Sequence, residues 1–552
     1  MQRDRTITRV PLPPDDLEPI TIPLTGAAIE DDAVTVTLRT YLVPVQGYCL
    51  DPTNPLRLTN AVVSFGGTER PPGSVADFLP PVLRKLTIAI PAIPDLAESD
   101  AAVRLATDVT AHYGQQPTAI TIVRIGAALP PAAPFERRIV IQQGPDTGVV
   151  LQPVPGGMPN LRISGPDNEL TNQTRLLAND ISRLALTSKA VVGPLRDNPQ
   201  LAGDVTTLRK LGQPVVSAVA LAPQVSVGLD QTRMGRPARG IRVHLLGSYT
   251  PPPASVSAQL VAIVGGETID TWSVDDAGVI DRWVDVPDRL LQRYTTLGIS
   301  LNLAGNTGRC GEFQPLTLTI DGDSVVESEA AVPPVPSGLQ SLPQALMPTT
   351  LIGIGSDAFA DTARATAIAV AMQRLSALPI GTEVTTVDEA MRSRGPAIVI
   401  EADGWTAPGV ALPVSAQGDR LTLDGVIGPG QSTTLTLDPD LRYGTLQAFF
   451  DGHRSLLVAT SNSAPGQLDE LLRWMTADPR RWSAVDGVAV ISAPGQQPVV
   501  VRPQPGVSAS SYPDSDGSTA WWAAGILIAV AGGAALIFLR TRRATDRPAH
   551  DD

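Results

Sequence analysis

Apolar and polar positions alternate in short runs between residues about 235 and 330: GIRVHLL at 240–246, SVSAQLVAIVG at 255–265, TLGISLNLAG at 296–305 and PLTLTIDG at 315–322. Period-two runs broken by Gly, Pro, Asn and Asp predict an antiparallel β-sandwich. From about 350 to 505 the texture changes. A strand-like TTLIGIG ends at Gly355, an alanine-rich helical stretch runs from Asp357 to Leu375, AIVIEA at 397–402 is strand-like, and LLVATS at 456–461 leads into a helical pattern at Gln467 to Met475. That alternation predicts an open α/β sheet.

Both textures occur earlier as well. RKLTIAIP at 84–91, a helical pattern from Asp95 to His112, TAITIVRIG at 118–126, RRIVIQQG at 137–144 and the segment 161–180 make a first α/β unit. VTVTLRTYL at 34–42 and LTNAVVSFGG at 58–67 resemble strands of a β-domain before it. Cys49 and Cys310 are 261 residues apart in comparable contexts, and Leu79-Pro80 and Leu342-Pro343 precede the two α/β units. The expected fold class is therefore mixed, a duplicated unit of β-sandwich followed by α/β domain. Its expected boundaries are a partial first β-domain at 1–80, α/β at 81–212, β-sandwich at 213–336, α/β at 337–510, a linker at 511–519, a transmembrane helix at 520–540 and a tail at 541–552. On this alignment the first β-domain lacks its front half.

The twenty residues Ala520 to Leu539 carry no charge, enough at helical rise to span about 30 Å of hydrocarbon. Trp521 and Trp522 flank one end, and Arg540, Arg542 and Arg543 flank the other, which predicts a cytoplasmic tail and a large extracytoplasmic N-terminal part. The first sixteen residues hold no apolar signal core, so the expectation is that an export signal lies upstream. Gly525, Ala529 and Gly533, with Gly532 beside them, form a small-residue stripe along which a partner helix is expected to dock.

Composition narrows the chemistry. With 42 basic and 55 acidic residues the net charge is -13, which argues against a nucleic-acid partner. Four scattered histidines and two cysteines make neither an H-E-x-x-H zinc motif nor a cysteine cluster, and no metal or cofactor is expected. Cys49 and Cys310 are open to two readings, a disulfide or two equivalent buried sites. The Gly353-Ile354-Gly355 turn reads chiefly as structural, because the acidic residue and phosphate-binding lysine of nucleotide sites are missing. Trp272, Trp283 and Tyr249 are candidate sugar platforms, with Asp275, Asp276 and Arg282 as hydroxyl partners.

The twofold order, the GYC and GRC segments leading into LTNAVVSFGG and LTLTIDGDS, the TLRKLGQP segment that opens the second β-domain, WSAVDG at 482–487 and the single anchor together resemble the BcsB-like regulatory subunits of bacterial cellulose synthase, the cyclic di-GMP-binding regulatory protein family. The resemblance implies jelly-roll-like β-domains similar to carbohydrate-binding modules and flavodoxin-like α/β domains. It implies a noncatalytic role beside a membrane glycosyltransferase, with a nascent β-glucan and the bilayer as partners. The combined R-x-x-x-R and D-x-S-x-x-G signature of cyclic di-GMP receptors is absent, because no D-x-S-x-x-G occurs in the sequence. The rival expectations are a membrane-anchored surface glycosidase with paired carboxylates and a carbohydrate-binding adhesion module.

Overall fold

A computed structural model describes residues 6–13, 18–28, 34, 36, 38, 59, 61–63, 68–177, 179–194, 201–253, 256–304, 315–407, 409–417, 420–428, 431–436 and 441–502. The span at 520–540 with Gly525, Ala529, Gly532 and Gly533, the flanking linker and tail, both cysteines, and most of the strand-like segments 34–42 and 58–67 lie outside the described residues. Among the described residues no helix is long and apolar enough to cross a membrane. The described chain is mixed in class and rich in β-sheet, with its longer helices confined to two regions.

The first α/β region comprises β1 (Lys85–Ile90), α1 (Leu96–Tyr113), β2 (Ala119–Arg124), β3 (Glu136–Gln143), β4 (Gly148–Gln152), β5 (Asn160–Gly165), α2 (Asp167–Arg175) and β6 (Lys189–Ala190). The sheet runs β2-β1-β3-β5-β4-β6, with β1, β2, β3 and β5 parallel and β4 antiparallel to β5. Asp95 starts α1 as an N-cap in a capping box with Glu98, which satisfies amide groups the first turn leaves open.

The sandwich follows. One sheet holds β7 (Val205–Thr207), β8 (Val215–Ala220), β10 (Ala238–Tyr249), β13 (Val279–Asp285), β15 (Leu316–Asp321) and β16 (Val325–Ala330). The other holds β9 (Gln224–Asp230), β11 (Ser257–Val264), β12 (Glu267–Ser273) and β14 (Tyr294–Ala304), and one turn of helix, α3 (Gln231–Met234), follows β9. Leu245, Leu260, Ile299 and Leu318 come from both sheets and share one core, as alternation along each strand requires. Because β7 pairs with β16, the sandwich begins ahead of residue 213, the expected boundary.

The second α/β region comprises β17 (Thr349–Ile354), α4 (Ala358–Leu375), β18 (Gly381–Thr386), α5 (Val387–Arg392), β19 (Ala397–Glu401), β20 (Val414–Gln417), β21 (Arg420–Gly428), β22 (Gln431–Thr436), β23 (Gly444–Phe450), β24 (Ser455–Ser461), α6 (Pro465–Ala477), α7 (Pro479–Ala484), β25 (Ala489–Ser492) and β26 (Val499–Val501). Its main sheet runs β18-β17-β19-β24-β23-β25-β26, the order of the first region with one more strand, while β20, β21 and β22 form a separate antiparallel sheet.

The three regions are joined by specific contacts. Helices α1 and α4 pack together across the two α/β regions. Val103 of α1 enters the second core, and Val370 of α4 enters the first. Thr362 donates a hydrogen bond to Ser99 at 2.9 Å, and the Val384 amide donates to Asp100 at 2.8 Å. The guanidinium of Arg293, wholly buried, donates to the carbonyls of Leu339 and Leu342, fastening the sandwich to the segment that enters the second α/β region.

Candidate functional site

On β10 the residues Ile241, Val243 and Leu245 face the core, so Arg242, His244 and Leu246 face outward. The same alternation on β13 buries Ile280 and Val284 and turns Asp281, Trp283 and Asp285 outward. Register places His244 opposite Trp283 and Arg242 opposite Asp285. The imidazole stacks on the indole with ring centroids 4.6 Å apart and planes 8° from parallel, and the Arg242 guanidinium lies over the same indole at 4.8 Å. Nε2 of His244 lies 2.6 Å from Asp281, while Arg242 donates to Asp285 at 2.8 Å and reaches within 3.7 Å of Glu327. Trp283 is 37% exposed. This outer face thus carries one aromatic surface bordered by ion pairs.

Trp272 and Tyr249 are elsewhere. Trp272 opposes Leu260 across β11 and β12, which puts it on the inner side, where it packs against the sandwich core. Arg282 also faces inward at the sheet margin; it donates to Asp270 at 3.0 Å and 3.2 Å and lies over Trp272 at 5.7 Å. The hydrogen bond from Arg282 holds the Asp270 carboxyl below the usual carboxylate range. Tyr249 belongs to the core, with only 5% of its surface exposed. Its hydroxyl donates to the Asp275 carboxylate at 2.9 Å and accepts from the Asp275 amide at 2.7 Å, and burial pushes its pKa up. The structure therefore brings Trp283 together with His244 and Arg242 and separates it from Trp272 and Tyr249. Arg242, Asp281 and Asp285 join Trp283 without a motif of their own in the sequence; their alternation about Trp283 on one strand and His244 on its neighbour is the signal that marks them.

An open cleft of about 500 Å³ lies where the two α/β regions meet, bordered by Pro94, Asp95, Leu96, Asp167, Gly355 and Thr386. Two observations set its chemistry. The Gly355 amide already donates to Asp361 at 3.0 Å, and a Cβ on Gly353 would lie 2.9 Å from that of Ala390, so these glycines serve packing. Asp95 and Asp167 place carboxylates at the helix starts, where a phosphate would need positive surroundings.

No family model and no curated protein matches the chain. A two-domain esterase active on acetylated mannans, solved with mannopentaose, is 8% identical, covering 47% of this chain and 93% of its own, with a TM-score of 0.13. A likeness of that size carries no argument. What the outer face can do follows from its own groups: an indole with polar neighbours suits the apolar face of a sugar ring and its hydroxyls. Among the described residues no group of three or more potential metal ligands occurs.

Proposed function

We propose that the chain is a noncatalytic, extracytoplasmic subunit of a membrane cellulose-synthase-like glycosyltransferase complex, stabilising the synthase and guiding the exported glucan. In this reading the sandwich is a carbohydrate-binding-module-like domain and the α/β regions are flavodoxin-like. The helix at 520–540 is both anchor and docking element, through Gly525, Ala529, Gly532 and Gly533. The observation that carries the reading is Trp283, an exposed indole on a broad sheet face with hydroxyl-competent Arg242, His244, Asp281 and Asp285 around it.

The glycosidase alternative fares less well at this face. Asp281 and Asp285 are four residues apart on one strand, a Cα separation of roughly 13 Å, and the nearer pair, Asp285 and Glu327, has Arg242 between its members, which favours the ionised form of both where a glycosidase needs one protonated acid. Asp281 and Asp285 are each also held by a cationic or imidazole partner.

The test has two arms. The full-length chain in mild detergent is expected to copurify with a multi-helix glycosyltransferase, and purification without one overturns the role. Titration with soluble β-glucan oligomers is expected to give weak affinity that Trp283→Ala abolishes and Trp272→Ala leaves intact. Equal binding by both variants removes Trp283 as the contact.

A further inference from the structure

The core of the first α/β region is built from one side of its sheet. Leu86, Ile88 and Ile90 of β1, Ile139 and Ile141 of β3, and Leu161 and Ile163 of β5 all pack beneath α1 and α2. The residues between them point the other way, and none belongs to a hydrophobic cluster. Register aligns them in cross-strand rows: Thr121, Thr87, Arg138 and Asn160 in one, Val123, Ala89, Val140 and Arg162 in the next. The second α/β region fills the corresponding side with Leu351, Ala397, Val399 and Val458 and covers it with α5. The first has no counterpart to α5 between β2 and β3.

No helix covers this side, yet Thr87 and Ala89 at its middle and Ser164 beside them are buried, and three cations flank them. Lys85 on β1, Arg138 on β3 and Arg162 on β5 each stand two residues further along than the register partner of the one before, since Lys85 pairs with Glu136 and Arg138 aligns with Asn160. With strands about 4.8 Å apart and a rise of about 3.3 Å per residue, they form a diagonal stripe with steps of about 8 Å. Among the described residues the Lys85 and Arg162 side chains are exposed and have neither hydrogen bond nor ion pair, whereas half-buried Arg138 donates from Nη2 to the Pro130 carbonyl at 2.6 Å and leaves only its Nε without a partner. On the sandwich, by contrast, Arg209, Arg236, Arg239, Arg242, Arg282 and Arg289 are all paired with carboxylates. Lys85, Thr87 and Arg138 also border a pocket of about 50 Å³ walled by Pro130 and Pro131, the size of one or two waters or a single carboxylate group. Glu136 borders it too and accepts from the Ala133 amide at 3.3 Å.

We propose that this helix-free face binds an extended polysaccharide bearing carboxylate groups. The inference rests on the proposed role in polymer export and narrows the polymer to an acidic one. Unpaired cations in a chain of net charge -13 select an anion. A protein partner would call for aromatic or large aliphatic anchors at the centre of the face. The accessible positions of the rows instead offer the Thr121 hydroxyl, the Arg162 guanidinium and the half-buried Arg138 and Asn160, with only Val123 and Val140 as partly exposed apolar groups.

The full-length protein in detergent is to be titrated with β-1,4-glucan oligomers oxidised to carboxylates at C6 and with neutral oligomers of equal length. The carboxylated oligomers are expected to bind at least tenfold more tightly at low salt, with the preference shrinking as salt screens it. The double variant Lys85→Glu, Arg162→Glu alters exposed positions only and is expected to abolish the preference. Arg162→Lys is expected to keep most of it, and Arg239→Gln on the sandwich all of it. Equal affinity for the two oligomers, or an unchanged preference in the double variant, overturns the proposal. Tighter capture of an acidic peptide of matched charge through Lys85 and Arg162 also overturns it, in favour of a protein partner. Copurification with the synthase reads the proposed function independently: with copurification intact and no carboxylate preference, this face alone is refuted.

Discussion

The two α/β regions share a strand order but treat the two sides of their sheets differently. In the second, α4 and α6 cover one side, and α5 with Trp405 and Val410 covers the other, so Ile398 and Val399 are both buried although they point in opposite directions. In the first, α1 and α2 cover one side, and Ile139 is buried while its neighbour Val140 remains half-buried. A parallel sheet ordinarily lies between two layers, so a sheet left open on one side has that surface available for something else. Here the helix-free side, buried at Thr87 and Ala89 and exposed at its flanks, is the one where Lys85 and Arg162 stand unpaired. The comparison teaches that a repeated topology conserves the buried half of a sheet more strictly than the other half.

The contrast can be broken most directly by burying a charge on each sheet. Val399→Asp places a carboxylate beneath α5 and is expected to destabilise the chain by about 4 kcal/mol, whereas Val140→Asp on the open side is expected to cost about 1 kcal/mol or less. Urea midpoints of the two variants decide it, and equal shifts would mean that the first sheet is covered after all.

The next contrast lies at the helix starts. Burial raises the pKa of both Glu98 and Asp361, but only Asp361 has a buried cation beside it, Arg364 at 2.7 Å. Asp361→Asn is therefore expected to cost about 2 kcal/mol, because Arg364 then keeps only its hydrogen bonds to the Asp469 carboxylate. At the seam between the regions, Ser99→Ala removes one of the two acceptors of the Thr362 hydroxyl, leaving the Ala358 carbonyl, and is expected to cost about 1 kcal/mol or less. Faster hydrogen exchange at the neighbouring Val384 amide is the accompanying signature, and unchanged exchange would locate the seam's strength elsewhere. Glu98→Gln is expected to have the smallest effect at neutral pH. Because the native carboxyl titrates above its ordinary 4.5, the folded state holds a proton that the unfolded chain has already released. Its contribution thus favours folding below that value and is lost as pH rises through the folded pKa. Glu98→Gln should flatten this part of the stability profile between about pH 4.5 and neutrality, and an unaltered profile would show that Glu98 titrates normally.

Much of the fold was legible from periodicity. The runs at 84–91, 118–126, 137–144, 349–355, 397–402 and 456–461 are strands, and the helical stretches at 95–112, 357–375 and 467–475 are helices, because each is long or regular enough for its period to register. The small sheet of β20, β21 and β22 and the six residues of α5 escaped: α5 and β20 are short, and RLTLDGVIG of β21 is broken by Asp424 and Gly425, which read as a turn. The open face was also written in the chain. NLRISG and the start of KLTIAI alternate polar with apolar, and Lys85 and Arg162 are exposed there, whereas LIGI and LLVA run without a polar side chain. Of the candidate platform only Trp283 faces outward. Periodicity could not place Trp272 or Tyr249, because their sides depend on which strand each lies beside.

The seam between α1 and α4 also imposes an order on biosynthesis. Ser99 and Thr362 are 263 positions apart, and the whole sandwich is threaded between them. At ribosomal speeds of about 5–20 residues per second, α1 is complete roughly 10–50 seconds before α4 begins to emerge. Throughout that interval the surface around Val103 has no partner to cover it. A nascent first region is therefore sticky for longer than the second ever is, and it is the part of the chain that most needs a chaperone while the remainder is being made.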